Sequence, residues 1–194
     1  MRIGLLGGSF NPPHHGHALA THIALVRLGL DRVWWLVTPG NPLKSQADLA
    51  ALQARVEAAR RLVAGPRVAV TDIEAHIGAC YTHDTLAWIT RRAKGVGFVW
   101  IMGADNLSQF HLWRHWRAIA DLVPIVVIDR PGSTLRAMSN HAAVALGRWR
   151  VPEAEASCFA ERRPPAFLFL HGLRSELSST VLRRSRQPEA SSPG

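Results

Sequence analysis

Short, wholly apolar runs alternate along the chain with longer stretches in which apolar residues recur every third or fourth position. RIGLLG (2–7) is the first run, closed by glycine, and Leu19, Ile23, Val26 and Leu30 follow it at helical spacing. The same alternation predicts a strand over 31–38 (DRVWWLVT), a helix over 49–64 stopped by Gly65-Pro66, and a strand over 67–74 (RVAVTDIE). It continues with a helix at about 82–93, a strand over 97–103 (GFVWIMG), a helix over 112–122, a strand over 124–132 (PIVVIDRPG) and a helix over 133–147. Residues 148–165 carry too much proline and charge to show a period. AFLFLHGL (166–173) reads as the last strand, SSTVLRR (178–184) opens a short helix, and residues 185–194 form a polar tail expected to be disordered. Strands apolar throughout, separated by amphipathic helices, imply a parallel sheet covered on both faces. The expected fold is therefore a single-domain, doubly wound, mostly parallel α/β sheet over residues 1–184. Such sheets take ligands beyond the carboxyl ends of their strands, where the topology reverses.

Composition sharpens this in three ways. The 23 Lys and Arg exceed the 14 Asp and Glu, for a formal charge of +9 among 194 residues, so anionic partners are favoured. The arginines are dispersed (Arg55, Arg60, Arg61, Arg91, Arg92, Arg114, Arg117), which reads as solvated faces; there is no long basic tract or RNA-binding aromatic motif that would make a nucleic acid the partner. Two distant cysteines, Cys80 and Cys158, build neither a disulfide framework nor a thiolate metal site. With no stretch resembling a membrane span or secretory signal, a soluble cytoplasmic protein is expected.

The chemistry concentrates where the first strand gives way to the first helix, in GGSFNPPHHGH (7–17). Gly7 and Gly8 suit a sharp turn whose amides approach a ligand closely, and Pro12 and Pro13 stiffen the loop. His14 and His17 stand three apart across the helix start, able to reach the same group, while His15 between them points elsewhere. A helix N-terminus already favours anions, and two imidazoles added to it make a cradle for a phosphate chain. A zinc pair is the rival reading, but no third ligand lies close by. GLLGG is not a dinucleotide fingerprint, and GNPLKS lacks the glycine that a P-loop places before its lysine.

The segment resembles, position by position, the GG[ST]F[DN]PxHxGH signature of the HxGH nucleotidylyltransferase superfamily. Within it the chain is most similar to the bacterial nicotinate-nucleotide adenylyltransferase family. NPLK (41–44), YTHDTL (81–86), GADNLSQFHLW (103–113), DRPG (129–132) and SSTVLR (178–183) look like that family's landmarks and occur in its order, over about residues 1–184. The resemblance implies a Rossmann-like fold and transfer of the adenylyl group of ATP to nicotinate mononucleotide, giving deamido-NAD and pyrophosphate. It implies catalytic roles for His14 and His17 at the phosphates. ATP would also be met by Gly7, Gly8, Ser9, Phe10, Lys44, Gly103, Asp105, Ser178, Ser179, Thr180 and Arg183. The nicotinate mononucleotide would be met by Asn11, Thr82, Asp84, Thr85, Arg130 and Trp113, the last stacked on the pyridine ring.

Several of these residues have ordinary alternatives. Ser178 to Thr180 suit an N-cap, Asp105 suits a helix cap, Lys44 suits a solvated surface, and Trp116 could stand in for Trp113 or simply lie in the core. Mg²⁺ is expected to come with ATP, with no dedicated metal residues. The partners implied are ATP and the acceptor nucleotide, with neither nucleic acid nor membrane; a homo-oligomer is compatible. The same chemistry on nicotinamide mononucleotide or phosphopantetheine, or a nucleic-acid module suggested by charge alone, are the competing functions.

Overall fold

The computed structural model describes residues 1–40, 48–129 and 139–171. Within them the chain alternates strand and helix as the pattern predicts. The strands are β1 (Arg2–Gly8), β2 (Arg32–Val37), β3 (Val68–Thr71), β4 (Gly97–Gly103), β5 (Ile125–Ile128), β6 (Arg150–Val151) and β7 (Phe167–Leu170). The α-helices among the described residues are α1 (His15–Arg27), α2 (Leu52–Leu62), α3 (Ile73–His76), α4 (Thr82–Arg92), α5 (Ala104–Gln109), α6 (Trp116–Leu122) and α7 (His141–Leu146).

All described strands join one sheet in the order β3-β2-β1-β4-β5-β7-β6, and every pairing is parallel. β1 lies between β2 and β4, with Leu5 opposite Trp34 on one side and Trp100 on the other. The direction of winding reverses there, so the topological switch point falls at the carboxyl ends of β1 and β4. The shortest strands, four-residue β3 and two-residue β6, are at the edges, which limits the unpaired backbone presented to solvent.

The central strands are apolar because both their faces are covered. Leu6, Val33, Trp35, Val99, Ile101 and Val126 pack on one side beneath α1 and α2. Leu5, Leu36, Trp100, Met102, Val127 and Phe169 pack on the other beneath α4 to α7. Each such side chain contributes about 1.5–3 kcal/mol by leaving water.

Several predicted boundaries move. The helix expected over 49–64 contracts to Leu52–Leu62, and the strand expected over 67–74 ends at Thr71 because Asp72 starts the short α3. The helix expected over 112–122 shortens to α6 (Trp116–Leu122), because Leu112 closes a 3₁₀ turn begun at Phe110 and the chain bends before α6 starts. The break has a local cause: Trp113 is extended and His115 is left-handed (φ 55°), which no continuous helix tolerates. Asn140 caps α7, its side-chain oxygen accepting from the Ala143 amide at 3.0 Å. The undecided stretch 148–165 contains β6 and a 3₁₀ helix at Glu153–Glu161. The helix expected at 178–184 and the tail at 185–194 lie outside the described residues.

Candidate active site

The histidine loop is held by its own backbone. His14 is the N-cap of α1 and Nδ1 of its ring accepts from the Gly16 amide at 3.1 Å; Nδ1 of His17 accepts from the His14 amide at 3.2 Å. This is a capping box built from two imidazoles in place of the usual hydroxyl and carboxylate. Because each Nδ1 is an acceptor, each neutral ring carries its proton on Nε2 and presents an N–H donor from its far edge. The two rings lie 3.9 Å apart, 34° from parallel. His15, as expected, is exposed.

A layer of aromatic and hydroxyl groups backs the pair. Phe10, 1% exposed and with φ 46°, stacks on Trp35 at 4.7 Å and contacts the His17 ring at 4.8 Å. A non-glycine residue in that left-handed conformation costs about 1–3 kcal/mol and persists only where its surroundings over-determine it. The indole N–H of Trp35 donates to Thr21 Oγ1 at 2.8 Å, and that hydroxyl donates to the His17 carbonyl at 2.9 Å.

The glycines do not make the turn expected of them, and one of them has a packing role besides. Gly7 and Gly8 both lie within β1 rather than in a turn. A Cβ on Gly7 would come within 2.4 Å of Trp100 Cη2, so the indole beneath, 1% exposed, dictates that glycine. A Cβ on Gly8 would meet the Phe10 ring at 3.4 Å, which is ordinary contact.

Asn11 and Ser9 face the neighbouring segment. Asn11 Nδ2 donates to the Asp48 carbonyl at 2.8 Å and its Oδ1 accepts from the Ala50 amide at 3.3 Å. The Ser9 carbonyl accepts from Arg55 Nη1 at 2.7 Å. Arg55, taken from sequence as part of a solvated face, is in fact 3% exposed. Its guanidinium also donates to the carbonyls of Thr38 (2.8 Å), Pro39 (3.2 Å) and Ala50 (2.8 Å). Burial lowers its pKa from the ordinary arginine value. The missed signal lies in the helical period: Leu52, Arg55, Val56 and Ala59 share one stripe of α2.

YTHDTL opens α4. Thr82 begins the helix, Asp84 is exposed and accepts a 3.0 Å contact from His83 Nδ1. Thr85 is fully buried, and its hydroxyl donates to Glu74 Oε1 at 3.3 Å and approaches the Tyr81 carbonyl at 3.4 Å. Glu74, 6% exposed on α3, was not identified from sequence. Desolvation raises its pKa, and hydrogen bonds with Thr38 and Thr85 offset only part of that rise.

Gly103 ends β4 and is the N-cap of α5; Asp105 is exposed in the first turn and makes no cap, so its alternative as a helix cap is excluded. Trp116 is 8% exposed among Phe110, His141 and Ile119, a core residue. Trp113 is half-buried, edge-on to Trp100 at 6.3 Å and to Phe110 at 5.4 Å. Trp100 thus touches both Gly7 of the strand that leads to the histidines and Trp113 of the turn after α5. Lys44, Arg130, Ser178, Ser179, Thr180 and Arg183 lie outside the described residues. Among the described residues no group of three or more His, Cys, Asp or Glu side chains could hold a metal ion, and no helix is long and apolar enough to cross a membrane.

Comparison with known proteins bears on the whole chain. Residues 5–185 match the family model described as Cytidylyltransferase-like. A protein named probable nicotinate-nucleotide adenylyltransferase from Agrobacterium fabrum is 54% identical over 187 residues, which cover 96% of this chain and all 100% of that one. One of the same name from Methylorubrum extorquens is 58% identical over 94% of this chain and 99% of its own. Among solved structures, Plasmodium falciparum nicotinic acid mononucleotide adenylyltransferase complexed with NaAD is similar with a TM-score of 0.68 at 16% identity, covering 94% of this chain and 82% of that chain. At that identity the likeness shows the doubly wound fold.

Proposed function

The chain belongs to the cytidylyltransferase-like family, among the nicotinate-nucleotide adenylyltransferases, and from that premise we propose that it transfers the adenylyl group of ATP to nicotinate mononucleotide. The products are deamido-NAD and pyrophosphate, a step in NAD biosynthesis. The observation that carries the reading is the locked pair of imidazoles, 3.9 Å apart at the N-terminus of a thirteen-residue helix, each with Nε2 as its donor edge.

The reaction forms one bond and breaks one. A phosphate oxygen of the acceptor attacks the α-phosphorus of ATP, and the bond from that phosphorus to the bridging oxygen breaks to release pyrophosphate. No protein nucleophile is required; rate comes from alignment and from charge stabilisation on the transferring group. His14 and His17 supply donors that need no reorganisation as that charge grows, because the capping box has already fixed both rings. Ser9, Phe10, Gly7, Gly8, Gly103 and Asp105 frame the nucleotide. Lys44, Ser178, Ser179, Thr180 and Arg183 are assigned to the phosphates on the motif resemblance.

Trp113 keeps a partly open indole for the pyridine ring, and a flat, electron-poor ring is what an indole stacks on well. The amides at the start of α4, with Thr82 and Thr85, take the acceptor's carboxylate, and Asn11, Asp84 and Arg130 complete its surroundings. Imidazoles and amides are phosphate donors rather than ligands for Mg²⁺, so the described residues do not fit a resident magnesium cage. Mg²⁺ enters with ATP as part of the substrate, and no step is routed through it. The enzyme domain runs to residue 184, followed by a tail, as the family match over 5–185 supports. The proposed location is the cytoplasm.

Purified protein with Mg-ATP and nicotinate mononucleotide should release pyrophosphate and deamido-NAD. The amide acceptor should turn over at least about tenfold less well by kcat/KM, because a site built for a carboxylate rejects the analogue lacking it. Equal turnover of both acceptors would overturn the assigned specificity, and no pyrophosphate with either would overturn the reaction.

A further inference from the structure

We propose that Arg55 is a positioning residue for this reaction: its buried guanidinium clasps the histidine loop to the segment after β2, and so sets where His14 and His17 stand when the phosphate charge develops. The inference rests on the adenylyl-transfer reading. Four hydrogen bonds of 2.7–3.2 Å run from this one side chain to carbonyls on three stretches of chain: Ser9 before the histidines, Thr38 and Pro39 after β2, and Ala50 ahead of α2. Asn11 spans the same gap a few residues on, through Asp48 and Ala50.

A buried cation is costly unless its donors are met, and among the described residues no carboxylate pairs with this one. Carbonyls satisfy it instead, and a carbonyl belongs to the backbone, so the guanidinium fixes chain paths rather than another side chain. The path it fixes is the one that needs fixing: Ser9 directly precedes Phe10, whose φ of 46° is unfavourable and whose ring abuts His17. Lysine cannot replace it, since an ammonium offers three donors from one point where the fork spreads five across a plane.

Arg55→Lys should keep the fold, seen as an unchanged far-ultraviolet spectrum and a cooperative melt, yet lower kcat for pyrophosphate release by about tenfold or more while the acceptor KM stays within about twofold. A kcat within about twofold of the parent overturns the proposal. Arg55→Ala should lose more activity and regain part of it with added guanidinium ion but not ammonium. Equal response to both ions also overturns it. Should neither variant fold, hydrogen exchange in the unmodified protein decides. The amides of Gly16 and His17 and those of Ala50 and Arg55 should share one opening free energy, and independent opening refutes the clasp. That last measurement needs no turnover, so a failure of the adenylyl-transfer reading, seen as no pyrophosphate from the parent protein, is told apart from a failure of the clasp.

Discussion

At the scale of single residues, the proposed reaction divides the site into groups that would meet the phosphates and groups that hold those groups still. His17 belongs to the first kind, so His17→Ala should reduce kcat by about a hundredfold or more with a much smaller effect on the KM for ATP, read in a pyrophosphate assay. His14 does two jobs, as donor and as N-cap. His14→Ala should therefore also lower stability by about 1 kcal/mol in a denaturant titration, whereas His14→Asn keeps the cap and loses only the chemistry. Glu74 gives a pH signature. Its carboxyl titrates above the ordinary value of 4.5 in the fold because burial penalises the charge, so the stability it contributes is complete below that ordinary value and is lost as pH rises through the elevated one. Glu74→Gln should thus melt at a progressively higher temperature relative to the parent as pH rises from acid to neutral. The histidine pair was legible because its motif is local. Arg55 and Glu74 were not: the helical stripe of α2 hints that Arg55 turns inward, but the groups that make its buried charge tolerable, Ser9 and Thr38 among them, lie far along the chain.

At the scale of elements, the strands were legible because both faces of a central parallel strand are apolar, which leaves an unmistakable run. The region after β4 was harder. Apolar and aromatic residues from Leu112 to Leu122 look like one helix, but the chain buries Trp116 and leaves Trp113 only half-buried, and the turn at His115 achieves both. The glycines of β1 show how a right residue can be read for the wrong reason, since Gly7 answers to Trp100 across the sheet and no local pattern reveals that. Gly7→Ala should destabilise by about 1–3 kcal/mol through overpacking, while Gly8→Ala, with room for its methyl, should not. Trp100→Phe, which shortens the ring, should recover part of the Gly7→Ala loss in a double-mutant cycle of melting free energies.

At the scale of the whole molecule, a charge of +9 surrounds a site whose substrates are both anions. Raising ionic strength from about 0.05 M to about 0.5 M should raise the substrate KM values severalfold and leave kcat nearly unchanged, since screening weakens encounter rather than chemistry. The central place of β1 has a separate consequence for biosynthesis. Its partners are β2 and β4, and β4 ends near residue 103, so roughly half the polypeptide must leave the ribosome before that strand can be paired on both edges. Until then a sticky hydrophobic ribbon, the same one that leads into the histidine loop, waits half-zipped, and parallel pairing is slow to close it. The nascent chain is therefore expected to be a client for holding chaperones, and the segment that makes the enzyme work is also the one most exposed to clumping while it is being made.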